Sequence, residues 1–308
     1  MKADWLWIGQ VAMAALVNIA YAFALGSTLY GAWLEKDARS AVAPARPAWL
    51  RAQTSLRAGS LVLVIALVMW LLYESASISG GTLPGSFSVV PTVLAQTHVG
   101  HAWSVAFVGA LVVAAMALMP ASAARDGVLW LALIATAAGR AGLGHAVDAG
   151  FASAALGVQT LHVLSASAWS GIVMAGGLAV LPALGASTAR GVLIRTAGQV
   201  SNVALFAVGL VLATGVFNAL RGTGGSPHVL MTSTWGHVLI AKLALVVLAM
   251  LLGGFNRVVA MPVLRRAAST VAARRFVNVL HLEALVMMAV LVVAAVLGHS
   301  VPGYVLQG

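Results

Sequence analysis

The chain has no cysteine and very little charge. Without thiols, disulfide bonds, cysteine zinc sites and thiolate copper sites are excluded. A metal could be bound only by histidine, methionine, carboxylate or carbonyl groups. Charged side chains make up 8% of the 308 residues, and only seven are acidic, whereas an ordinary globular domain has about 25% charged residues. This scarcity of charge excludes a soluble domain of this length.

Long basic runs are also missing, although the formal net charge is +10. Without such a run, the sequence indicates no nucleic-acid partner. The lysines and arginines are instead concentrated at the edges of apolar segments, where they usually determine membrane topology. Lipid is therefore the expected surrounding of most of the chain, and no nucleotide-binding or hydrolase motif suggests an enzyme.

Long apolar segments fill most of the sequence, which is 61% hydrophobic with a mean hydropathy of +1.01. Segments of about 20 apolar residues are typical of transmembrane helices. Residues 1–308 are therefore predicted to form one all-α polytopic domain, a single bundle of eight transmembrane helices. The predicted spans are Trp5–Trp33, Gly59–Tyr73, Ser88–Met119, Val128–Ala146, Val158–Leu184, Val200–Leu220, Trp235–Val259 and Phe276–His299.

The basic residues predict the orientation of these spans. Thirteen of them fall in the loops on one side: Lys36, Arg39, Arg46, Arg51, Arg57, Arg125, Arg190, Arg195, Arg257, Arg265, Arg266, Arg274 and Arg275. Only Lys2 and Arg221 fall on the other side. Arg140 and Lys242 fall within spans, and their side chains are expected to extend towards the nearby outer surface. Because positive loops stay inside, the first side is predicted to be cytoplasmic and both termini to lie outside.

The histidines have the opposite distribution. His98 and His101 are three residues apart, so they share a helix face, and such a pair inside a membrane indicates a functional site. Seven of the eight histidines fall in the predicted outer half or outer loops; only His281 falls in the inner half. The outer seven are His98, His101, His145, His162, His228, His237 and His299.

Two kinds of site fit this pattern. Imidazole is a good copper ligand, and His98, His101 and His162 lie at comparable predicted depth, so they are expected to converge on one metal. His145 and His237 are further candidate ligands nearer the outer surface, whereas His228 and His299 are expected to be solvated. Alternatively, two imidazoles from facing helices could bind haem b, as in b-type cytochromes. Each histidine could also simply bond a polar group of a neighbouring helix.

Several motifs, taken in order and spacing, resemble one family. They are LYGAWL at 29–34, QTHVGHAW at 96–103, GHA at 144–146, LHVLSASAWSG at 161–171, ATGVFNA at 213–219, TWGH at 234–237 with Lys242, NR at 256–257 with Pro262, LE at 282–283, and Pro302. This pattern is similar to the copper resistance protein D (CopD) family. His145 and His162 match it most firmly, whereas His101, His237 and His281 depart from it.

The resemblance implies an eight-helix bacterial inner-membrane protein that handles copper and works with a periplasmic copper-binding protein of the CopC type. The outer side of the bundle would then be the periplasm. The expected function is copper transport, from periplasm to cytoplasm, through a histidine cluster in the periplasmic half. The alternatives are a haem-binding redox protein and a copper sensor or docking protein without transport.

Overall fold

A computed structural model describes residues 5–144, 150 and 153–302, and in these ranges the chain is helical with no strand. This confirms the predicted all-α polytopic architecture. The helices are α1 Trp5–Glu35, α2 Arg46–Ser79, α3 Leu83–Gln96, α4 His98–Leu118, α5 Ala123–Ala141, α6 Ala154–Ala175, α7 Arg190–Thr223, α8 His228–Thr232, α9 Thr234–Phe255, α10 Met261–Ala267 and α11 Thr270–Gly298.

Seven helical segments of the described chain are long and apolar enough to cross a membrane, one fewer than the eight spans predicted. The missing one is α5, at the place of the predicted span Val128–Ala146. It has 19 residues and includes Arg125, Asp126 and Arg140, so its apolar stretch is short. It nevertheless packs against α4 and α6 as part of the bundle.

The third predicted span, Ser88–Met119, is two helices rather than one. Thr97 has an extended backbone conformation, and its hydroxyl both donates to the carbonyl of Val93 (2.7 Å) and accepts from the amide of Gly100 (3.0 Å). It therefore ends α3 and caps the N-terminus of α4. With 14 residues, α3 is about 21 Å long and does not cross the membrane. It packs on α2 and α4 at the predicted outer side.

Two spans continue through a π-helical turn. α6 is followed by a π turn at Gly176–Val180, and α9 by one at Asn256–Ala260. A proline follows each turn, Pro182 in the first case and Pro262 in the second. A proline lacks the N–H that a regular helix needs, and π turns are frequent at functional sites. The second π turn brings Asn256 into the buried interior.

Helix α1 lies at the centre of the bundle and packs against α2, α6 and α11. It approaches α6 so closely that a Cβ on Gly26 would lie 2.1 Å from the carbonyl oxygen of Gly171. Small residues allow such close helix contacts in membranes. Two buried tyrosines of α1 form hydrogen bonds to neighbouring helices. The Tyr21 hydroxyl donates to the carbonyl of Leu133 on α5 (2.8 Å), and the Tyr30 hydroxyl donates to that of Ile172 on α6 (2.9 Å).

The two ends of the described chain meet on one side of the bundle. The indole of Trp7, near the start of α1, donates to the carbonyl of His299 after α11 (3.2 Å). The His299 ring in turn lies 3.4 Å from the indole nitrogen of Trp70 on α2. If α5 is counted with the seven long helices, the number of crossings is even and predicts this arrangement, so the shared side of the termini is consistent with the sequence-based topology.

Candidate functional site

His98 and His101 occupy the first turn of α4. Thr97 caps this turn, and Gly100 sits between the two histidines. A Cβ on Gly100 would lie 2.1 Å from the carbonyl oxygen of Val93, so only glycine allows α3 and α4 to approach this closely. Both imidazoles are exposed. Because the helix is interrupted at Thr97, the pair lies at the predicted outer end of the bundle rather than inside a continuous helix.

His162 does not form a cluster with His98 and His101. Within residues 5–144, 150 and 153–302, no three His, Cys, Asp or Glu side chains lie close enough to hold one metal ion. The expected cluster of His98, His101 and His162 is therefore not formed in this structure. The reason is helix order: α4 packs mainly against α2, α3 and α5, whereas α6 packs against α1, α5, α7 and α11. The ligand role of each histidine on its own stays a prediction.

His162 lies half-buried between α6 and α7. Its Nδ1 is 2.9 Å from the hydroxyl of Thr214, which donates its own proton to the carbonyl of Leu210 (2.6 Å). With its own proton directed at Leu210, the hydroxyl accepts from the imidazole; in this tautomer Nδ1 carries the proton and Nε2 keeps its lone pair. Histidine metal ligands are commonly held in this way by a partner on the other ring nitrogen.

A lysine, which is positively charged when protonated, lies near this imidazole. Lys242 on α9 is close enough to His162 to interact with it electrostatically. Two positive charges repel each other strongly where the dielectric constant is low. A cation that binds His162 must therefore overcome this repulsion, and Lys242 opposes stable copper binding there.

The other predicted ligands differ in their surroundings. His237, exposed in the first turn of α9, has its Nε2 3.0 Å from the carbonyl of Met231. Its Nδ1 is the nitrogen left for a metal. His145 lies outside the described residues. His299, expected to be solvated, is instead half-buried, and its Nδ1 donates to the carbonyl of Ala295 (2.8 Å).

Sequence reasoning misplaced one intramembrane charge. Arg140 was expected to extend towards the outer surface, but it points into the bundle, where it bonds to the side-chain oxygen of Asn18 and lies 4.6 Å above the ring of Tyr21. The sequence also gave no reason to single out Thr214 as the partner of His162. The available signal was a hydroxyl within an apolar stretch of α7, because membrane helices often use such groups for interhelical bonds.

Comparison with known proteins covers both halves of the chain. The family model described as "Copper resistance protein D-like, N-terminal domain" matches residues 2–155, and that described as "Copper resistance protein D" matches residues 194–297. The chain is also 30% identical over 290 residues to "Inner membrane protein YebZ" of Escherichia coli (strain K12), covering 90% of this chain and 92% of the relative. No solved structure gives a significant match.

Proposed function

Because the chain belongs to the copper resistance protein D family, we propose that it transports copper across the inner membrane, from the periplasm to the cytoplasm. It is a multi-pass inner-membrane protein, as its relative and its long apolar helices indicate. The observation that supports inward transport is the distribution of ligands. Exposed imidazoles lie at the predicted periplasmic ends of α4 and α9, whereas the predicted cytoplasmic loops contain no histidine.

The exposed pair His98 and His101 is the proposed entry site. Two imidazoles on one turn can bind copper and leave its remaining coordination positions open. A site with open positions suits an ion that arrives on another protein, since the donor can keep some ligands while the pair takes others. This arrangement supports a periplasmic copper-binding partner of the CopC type. His237 and His145 are further capture residues in this proposal.

His162 is the proposed next ligand on the inward path. Thr214 already fixes its Nδ1, so only Nε2 is free for copper. The nearby Lys242 keeps binding at this position weak. Weak intermediate binding favours transport over storage, because an ion must leave each site as readily as it enters it.

The test is copper uptake into proteoliposomes. We expect the double variant His98→Ala/His101→Ala to take up copper at about a tenth of the parent rate or less, since metal-site substitutions commonly cost about 10–100-fold. His228→Ala is the matched control, because His228 is also an exposed periplasmic-side histidine but lies alone on α8. Parent-rate uptake by the double variant would rule out the pair as the entry site.

The same preparation distinguishes the redox alternative. A bis-imidazole haem protein would be purified with a strong Soret absorption band. We expect the purified protein to be colourless before copper is added and to bind copper afterwards. A haem spectrum that disappears in His162→Ala would instead contradict the transport proposal.

A further inference from the structure

A cavity of about 170 Å³ lies between α6, α7, α9 and α11. We call it the inner cavity; its walls include Trp169, Ser201, Met250, Asn256, Met261 and Glu283. Glu283 is 13 residues from the start of α11, about 20 Å along the helix. It therefore lies near the bilayer centre, slightly towards the predicted cytoplasmic side. None of the candidate histidines lines this cavity.

Glu283 places a carboxyl group in the cavity, and among the described residues it forms no ion pair. Glu283 is 3% exposed, and Trp169 lines the cavity beside it. Arg257 also lines this cavity, but it is exposed and its guanidinium donates to the carbonyl of Ser201 (3.0 Å) rather than to Glu283. A carboxylate inside a membrane is costly unless a proton or a cation neutralises it.

Asn256 provides a second, independent indication of a ligand. It is 5% exposed and lines the same cavity. Among the described residues, neither its side-chain oxygen nor its nitrogen has a hydrogen-bond partner. Buried polar groups without a partner are rare in folded proteins and require an explanation. A proton on Glu283 would neutralise the carboxylate but would leave the Asn256 side chain unsatisfied.

The chain also keeps space free around the carboxylate. A Cβ on Gly253 would lie 3.0 Å from Oε1 of Glu283, whereas a Cβ on the next residue, Gly254, would contact nothing within 4 Å. The absence of a side chain at Gly253 therefore leaves room beside Glu283. An apolar occupant of this space, such as a lipid chain, would leave both polar groups without partners. A small cation would neutralise the Glu283 carboxylate and would be coordinated by the side-chain oxygen of Asn256.

We propose that the inner cavity is a Cu(I) site, with the Glu283 carboxylate and the Asn256 oxygen as oxygen ligands and Met250 and Met261 as the sulfur-bearing wall. Thioether sulfur prefers Cu(I), whereas Na⁺ and K⁺ prefer an all-oxygen site. The inference rests on the proposed function only for the identity of the ion. The inner cavity would give inward-moving copper an intermediate binding site on the cytoplasmic side of the histidines. That half of the bundle contains almost no histidine.

The test is anaerobic titration of the purified protein in detergent with Cu(I) in competition with a chelator. We expect Glu283→Gln to weaken the binding of one Cu(I) equivalent by at least about tenfold. Glutamine has nearly the same size and shape as glutamate, so the fold should survive. Gly253→Ala should weaken the same equivalent by filling the space, with every ligand retained. Gly127→Ala is the control and should bind as the parent does, because Gly127 lies outside this cavity and a Cβ there would contact nothing within 4 Å.

The results distinguish a failure of the proposed inner Cu(I) site from a failure of the proposed entry site. His98→Ala/His101→Ala should keep the inner Cu(I) equivalent while losing uptake. Parent-like binding by both Glu283→Gln and Gly253→Ala would overturn the inner site and leave the proposed transport intact. Loss of the equivalent in these variants without any effect on uptake would instead count against transport through the inner cavity. Displacement of Cu(I) by excess Na⁺ or K⁺ would overturn the assignment to copper.

Discussion

Replacing Gly100 by alanine should disturb both the fold and the histidine pair. The added Cβ would lie 2.1 Å from the carbonyl oxygen of Val93 and 2.6 Å from the Cα of Leu94. Non-bonded heavy atoms prefer to be about 3.5 Å apart, so α3 and α4 must separate by roughly 1.4 Å. Overpacking of this kind typically costs about 1–3 kcal/mol. Because the helix starts at His98, the same shift moves the first turn that presents both imidazoles.

Gly127→Ala is the control for this substitution. Gly127 is also a helical glycine, on α5, and a Cβ there would meet nothing within 4 Å. The change should be neutral or stabilising by up to about 1 kcal/mol, since alanine is the better helix former. Thermal unfolding in detergent and copper binding should be measured for both variants. If Gly100→Ala were as stable as Gly127→Ala and bound copper as the parent does, the contact between α3 and α4 would not position the pair.

Three other predictions concern His162, His299 and the topology. Thr214→Val should lower copper affinity by about 10–100-fold if His162 is a ligand, and Lys242→Met should raise it by removing a repelling charge; titrations in which neither changes would exclude His162. Burial lowers the pKa of His299, so the folded protein holds it neutral; the unfolded chain takes up the proton first below roughly pH 6.5. The melting temperature should therefore fall from pH 7.5 to 5.5, and less so in His299→Gln; an equal fall in both would contradict this. Ala43→Cys, the only cysteine in that variant, should resist an impermeant thiol reagent in spheroplasts, and labelling would overturn the predicted topology.

The candidate site shows how far local sequence patterns reach. The spacing of His98 and His101 correctly predicted a shared helix face, because a three-residue interval has that consequence in any helix. The prediction that His98 and His101 converge with His162 was wrong for this structure, because comparable depth along two helices does not make those helices neighbours. The orientation of Arg140 was wrong for a related reason. Its side chain could reach either the surface or the interior, and Asn18 and Tyr21, more than a hundred residues away, provide the interior partners.

The sequence by itself determined the membrane class, the helical architecture, the approximate spans and the family. These depend on composition, on the length of apolar segments and on motif order, which are properties of the chain before it folds. Only the tertiary structure decided the break at Thr97, the two π turns and the inner cavity. A hydrogen-bonding threonine, a glycine beside a carboxylate and an asparagine without a partner acquire these roles only through neighbours on other helices. Asn256 and Glu283 are 27 positions apart, so no local pattern could show that the π turn after α9 and helix α11 bring them to one cavity.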